Sequence, residues 1–357
     1  MKHHAFISLT ALIFTCTTIP AVAQVPQIKN ETPKEKADFS PKDFTYSDDE
    51  VEKVLLARIK ANPKDDVSLY RLGEIYEKKA GLTGDLSYFT KAEGCLRKSL
   101  EIFPPGHRAK VSLAAVLCAQ HKFAEGLKLA REALAVKPKD VDALATAGDA
   151  LLETGRYDEA EAAFKQLHQL SKAPPVLSRI ASFAEFKGET DKALKLMGDA
   201  ANDILKSGGS AADAGWYQAR LGDISLVAGR VDEAEKFYAS VPQGIDAFHD
   251  ATAGLGRIKA MKGDPKAAIA LYEKAVAIGP DPHMLAALGD LYIKSGHPEK
   301  AEPLFQKLLA ITANKGEYLR ERANFLSNHD RDLPAALELA KLDFEQRKDI
   351  YGYDALA

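Results

Sequence analysis

Apolar and small residues along this chain recur in blocks rather than in one continuous core pattern. Leu255-Gly256 is followed by Gly263, Ala268, Tyr272, Ala275 and Pro280, and the pattern restarts at Leu288-Gly289 with Tyr292, Gly296, Ala301 and Phe305. A restart after 33 or 34 residues with a glycine midway predicts two antiparallel helices per unit, stacked unit on unit. Within each unit a glycine precedes a small residue by five positions: Gly155 and Ala160, Gly188 and Ala193, Gly229 and Ala234, Gly263 and Ala268, Gly296 and Ala301. The glycine fits a left-handed turn after the first helix, and the small residue lets the second helix pack close against it. Phe164, Tyr238, Tyr272 and Phe305 are placed to fill the space between units. His121 stands at the turn position of an earlier unit, and His tolerates positive φ better than most other residues.

In chain order, residues 1–23 read as a secretory signal, with basic Lys2, an apolar run from Ala5 to Phe14, and Ala21-Val22-Ala23 ahead of Gln24. Residues 24–46, with Pro26, Pro33 and Pro41 among charged residues, predict a disordered tether. Residues 47–357 predict the solenoid, with about seven to eight repeats and the last one incomplete. Ser47 to Glu50 is a capping-box pattern that opens a lone helix covering one end of the stack. Extra residues within 81–90 predict a loop or a contact surface, and the longer step across 201–214 predicts either a plain loop or a hinge. Tyr351 to Ala357 starts a further helix with no partner in the sequence. A bare end there would leave an apolar face wet, so a truncated chain or capping by another subunit is expected, with self-association through that end.

The glycine, alanine and aromatic spacing resembles the tetratricopeptide repeat over roughly residues 50 to 345. The resemblance implies an all-α, right-handed superhelical solenoid whose first helices line a concave groove that binds peptides or protein surfaces. It says little about the ligand. The family's carboxylate clamp uses Lys, Arg and Asn in that groove; Ala and Asp hold those places here, so an acidic peptide terminus is not the expected partner.

Helical phase predicts which side chains line the groove. The residue after the first-helix glycine turns about 100° toward it, as does the residue three or four earlier. Those positions hold Glu74, Asp149, Asp223 and Asp290, with Arg257 as the exception, and Tyr70, Ala145, Ala219, Ala253 and Ala286 before them. The result is an acidic row suited to a basic or amide-rich segment, or a set of solvated acids with no such role. Trp216, the sole Trp, projects into the groove or onto the loop before it.

Composition narrows the chemistry. Lys and Arg number 48 against 51 Asp and Glu, for a net charge of −3, with no basic block, so neither nucleic acid nor an anionic membrane is an expected partner. The apolar run near the N-terminus is too short to span a bilayer. Cys95 and Cys118 permit a disulfide in an oxidising compartment and fit equally as free, buried thiols. No metal-binding, phosphate-binding or nucleophile motif is present, so neither metal, cofactor nor catalysis is expected. The expectation is an exported, periplasmic or secreted scaffold that binds a peptide or protein. An accessory region of a larger enzyme or envelope complex, and a groove for a glycan or small molecule marked by Tyr70, Phe186 and Trp216, are the alternatives.

Overall fold

The computed structural model describes residues 47–83, 85–244, 247–313 and 318–357; the signal and tether expected over 1–46 lie outside them. The described chain is helical and divides into two units, one ending at Val116 and one beginning at Leu117.

The first unit holds α1 (Asp48–Ala61), α2 (Asp66–Thr83), α3 (Ser87–Ile102) and most of α4 (His107–Ala119). Ser47 opens α1 as the sequence predicts: its hydroxyl accepts from the Glu50 amide, and its own amide donates to the Glu50 carboxylate at 2.7 Å. Only Leu55 of α1 is buried, which fits a helix covered on one face. The α2–α3 hairpin closes where Gly73 meets the Leu96 side chain, with no room for a Cβ. The extra residues near 81–90 do not form a long loop, because α2 continues through Thr83 and α3 starts at Ser87. Ala80 stands seven residues after Gly73, where other units have their turn glycine. Without that left-handed stop the helix runs on.

The second unit holds α5 (Phe123–Val136), α6 (Val141–Glu153), α7 (Tyr157–Leu170), α8 (Pro174–Phe186), α9 (Thr190–Lys206), α10 (Ala211–Val227), α11 (Val231–Ala239), α12 (Ala247–Met261), α13 (Pro265–Ile278), α14 (Pro282–Lys294), α15 (Pro298–Ile311), α16 (Leu319–Asn328), α17 (Leu333–Gln346) and α18 (Ile350–Leu356). Turn glycines 155, 188, 229, 263 and 296 all have φ between 72 and 80°. His121 and Asp330 take the same turn at 60 and 48°, as their residue types allow. In four of these hairpins a second glycine sits inside the first helix, and an aromatic ring of the second helix covers it. Phe164 covers Gly148, Tyr238 covers Gly222, Tyr272 covers Gly256 and Phe305 covers Gly289, so tightly that a Cβ would fall within 3 Å of the ring. These rings are almost wholly buried, each stabilising its hairpin by about 1.5–3 kcal/mol.

The longer step near 201–214 is taken up by α9 and α10, each 17 residues long. Gly208 at φ 89° turns the chain, and Ser210 with Asp213 forms a capping box that starts α10. Cys95 and Cys118 are free thiols, and burial pushes the Cys118 pKa up. The final hairpin, α16–α17, is joined to α18 by a buried charge cluster. Arg320 donates from Nε to Asp343 at 2.7 Å and grips Asp349 with both Nη atoms at 2.8 and 3.0 Å. Asp349 also caps α18 by accepting from the Gly352 amide at 2.7 Å. The helix that lacks a partner in the sequence is therefore held by the hairpin before it.

Candidate functional site

The predicted groove residues lie on the first helices, but the acidic row is not free. In the first unit Tyr70 is half-buried, and Glu74 accepts from Arg108 at 3.0 Å and Ser112 at 3.4 Å. In the second unit Asp149 accepts from Arg179 Nε at 2.9 Å; burial raises its pKa and the guanidinium opposes that. Asp223 accepts from Arg220 at 2.8 Å and from the Tyr238 hydroxyl at 2.7 Å. Arg220 also donates to Glu185 at 3.0 Å. Arg257 is half-buried among Tyr272, Tyr238 and Asp223. Asp290, 43% exposed, meets His329 Nε2 at 2.9 Å; that contact, outweighing partial burial, raises the His329 pKa.

In the second unit the row is thus part of a mixed-charge ladder, in which Asp149, Glu185 and Asp290 are each held by a basic side chain of the next first helix and Asp223 by Arg220 of its own helix. An acidic lining that attracts basic ligands through net potential is not what the structure presents. Phase reasoning overlooked Arg179, Arg220 and Glu185. The signal was there: Arg179 and Arg220 both stand nine residues before a turn glycine, at 188 and 229. Ala145, Ala219 and Ala253 are buried between helices rather than lining a surface.

Trp216 also departs from expectation. It packs beside the cluster of Ala219, Tyr238, Val241 and Ala247, edge-on to Tyr217 at 5.1 Å, because the neighbouring helices offer apolar cover on that side of α10. Phe186 is engaged with Tyr157 at 4.7 Å. Neither ring is set out as an open platform for a sugar or small molecule. Among the described residues no cluster of His, Cys, Asp and Glu could hold a metal ion, and no helix is long and apolar enough to cross a membrane.

A second locus, not foreshadowed by any sequence pattern, lies on the turn edge of the early repeats of this unit. Arg347, at the end of α17 and 2% exposed, lays Nη2 against the ring nitrogens of His121. Its guanidinium sits 5.7 Å from the Phe123 ring centroid and 3.8 Å from Glu153. The Lys348 carbonyl abuts Gly155, where a Cβ would sit 2.2 Å from its oxygen. The Ile350 amide donates to the Tyr157 hydroxyl at 2.7 Å. Burial, only partly offset by Arg347, pushes the Glu153 pKa up to about 7. Burial and the charge of Arg347 push His121 down to about 3, so its imidazole is neutral.

Comparisons with known proteins agree with this architecture. A tetratricopeptide repeat model matches residues 117–175 and 260–324. No curated protein matches the chain. Among solved structures it is similar to the APC/C hetero-tetramer Cut9–Hcn1, at TM-score 0.52 and 18% identity over 85% of this chain and 57% of that one. It is also similar to a tetratricopeptide repeat protein from Parabacteroides merdae, at TM-score 0.53 and 17% identity over 68% and 91% of the two chains. Yeast Tom70 aligns at TM-score 0.54 and 16% identity over 82% and 62%. This chain spans little more than half the length of the Cut9–Hcn1 chain, and identities this low speak to fold alone. With the glycine turns, the ring-covered helical glycines and the matched segments together, tetratricopeptide repeats are detected over residues 117–175 and 260–324 and the described chain folds as an α-solenoid.

Proposed function

We propose that this protein is a non-catalytic interaction scaffold, exported to the cell envelope, that binds a peptide or protein segment along its first helices. The observation that carries the reading is the mixed-charge ladder running through Asp149, Arg179, Glu185, Arg220 and Asp223, whose side chains stay 8 to 25% exposed. Partly accessible donors and acceptors on successive first helices suit the repeating amides of a polypeptide, and compensated charge selects by hydrogen bonding rather than by net potential. Tetratricopeptide proteins with assembly partners, such as the APC/C subunits, lend the reading support by analogy of fold.

Export rests on the signal pattern of residues 1–23 and is tested by the N-terminal sequence of the mature protein, expected to begin at Gln24. Binding is tested with photo-cross-linking residues placed at Ala286 on a first helix and at Lys165 on a second helix, in the full chain. A protein captured at Ala286 and not at Lys165 supports the scaffold. Equal capture at both positions, or capture only at Lys165, refutes a ligand on the first-helix face.

A further inference from the structure

The contact made by residues 347–350 is an unusual way to hold a terminal segment. Arg347 is fully buried, yet its Nε has no hydrogen-bond partner, and its nearest carboxylates, Asp343 and Glu153, stand at 3.7 and 3.8 Å. A buried charge compensated this loosely costs desolvation that its ion pairs do not fully return, and an apolar residue would serve stability alone better. Apart from Arg347, the segment is held by the grip of Arg320 on Asp349 at 2.8 and 3.0 Å, while Ile350 is 55% and Tyr353 62% exposed. What the receiving surface offers is specific in kind. It supplies a carboxylate, a neutral imidazole and an aromatic face for one guanidinium. It also supplies a side-chain-free approach at Gly155 for a backbone carbonyl and a hydroxyl for a backbone amide. Arg347 itself, at φ −131 and ψ 98°, takes the same junction geometry as Phe103 and Lys137 after their helices.

We propose that the turn-edge surface of His121, Phe123, Glu153, Gly155 and Tyr157 is a peptide-binding site, occupied in this state by the chain's own residues 347–350 as a plug. Its partner in trans is a protein segment that presents an arginine in extended backbone with a free amide three residues on. This inference rests on the scaffold reading, to which it adds a site and a ligand class. While the plug is seated, an outside ligand binds with an apparent affinity reduced by the fraction of molecules that are open.

The test uses the full chain and a fluorescent peptide with the sequence of residues 340–357, read by anisotropy. Arg347→Ala empties the guanidinium pocket and leaves every receiving residue intact. Ile350→Pro releases the segment independently, since it removes the amide given to Tyr157, and the first position of a helix accepts proline. Both variants are expected to bind the peptide at least ten-fold tighter than the wild-type chain, and a peptide carrying alanine in place of the arginine is expected not to bind. Failure of both variants to bind while their helical signal is unchanged overturns the proposal, as does equal binding of the alanine peptide. Peptide binding with no partner captured at Ala286 supports this site and removes the scaffold face. A captured partner indifferent to both variants, with no peptide binding, leaves the scaffold and removes this site.

Discussion

The Gly155→Ala variant is a test that carries its own controls. Five turn glycines share nearly the same backbone, with φ from 72 to 80°, and an alanine in the left-handed region costs about 1–2 kcal/mol at any of them. At Gly188, Gly229, Gly263 and Gly296 an added Cβ meets no atom within 4 Å, so that backbone cost is the whole effect. At Gly155 the same Cβ would lie 2.2 Å from the Lys348 oxygen, about 1 Å inside an ordinary carbon–oxygen contact. The backbone of the terminal segment must withdraw by that amount, which breaks the 2.7 Å bond from the Ile350 amide to Tyr157 and draws Arg347 from its pocket. Overpacking of this kind adds about 1–3 kcal/mol. Urea unfolding of all five variants measures the difference, and limited proteolysis within 344–357 locates it. Because a repeat array sums local terms, the four controls set the baseline. A Gly155→Ala variant no less stable than the other four and no more open to protease would refute docking of the terminal segment at this turn.

The other predictions address buried charge. Arg320→Met leaves Asp349 buried without its cation and Asp343 with Arg347 alone, at 3.7 Å, and should destabilise the last hairpin by about 3–5 kcal/mol, seen as faster hydrogen exchange across α16 to α18; unchanged exchange would contradict the network. The pH dependence has two opposed parts. Glu153, raised to about 7 among Arg347, Arg320, Asp349 and Asp149, binds its proton better in the folded chain, so stability falls as pH rises from its ordinary value of 4.5 through 7. That loss is on the order of 3 kcal/mol, and Glu153→Gln should remove it. His121, lowered to about 3 by burial, Arg347 and Arg320, gives stability present above 6.5 and lost as pH falls toward 3. His121→Asn keeps a residue that accepts the turn and should abolish that acid loss. Between about pH 4.5 and 6.5 the two slopes cancel, so denaturation midpoints of each variant against pH should tilt in opposite directions where this pair contributes no slope in the wild type. His329, raised by its contact with Asp290, gives stability present below its usual range and lost as pH rises through the raised value. Asp290→Asn should lower its titration midpoint by NMR, and an unmoved midpoint would show that Asp290 is not the cause.

Local rules were legible in the sequence because they repeat. The glycine-to-small-residue step locates the turns, and Tyr238 and Phe305 fill the space between units as the spacing predicts, Tyr238 against both Gly222 and Gly254 and Phe305 against Phe325. His121 was assigned to a left-handed turn from its place in the phase, and it adopts φ 60°. Four features were not legible, for different physical reasons. The extra residues at 81–90, expected as a loop or a contact surface, mostly extend α2 and α3, because Ala80 supplies no left-handed stop and extra length alone does not reveal that. The acidic row read as a lining because a carboxylate's partner sits one repeat away, as Arg179 does from Asp149, and single-helix phase is blind to it. Trp216 followed its apolar neighbours rather than the ideal 3.6-residue phase. The seat of Arg347 against His121, 226 residues apart, depends on how many small rotations accumulate between repeats, which no local pattern encodes.

Whether the terminal segment occupies the turn edge in solution is measured directly by hydrogen–deuterium exchange of the wild-type full chain. With the Ile350 amide on Tyr157 and the Gly352 amide on Asp349, amides of residues 347–352 should exchange well below the rate of the same sequence as a free peptide, and Tyr157→Phe should speed the exchange of Ile350. Exchange at the free-peptide rate in the wild-type chain would mean that the site is empty, and would contradict both the plug and the closed state described here.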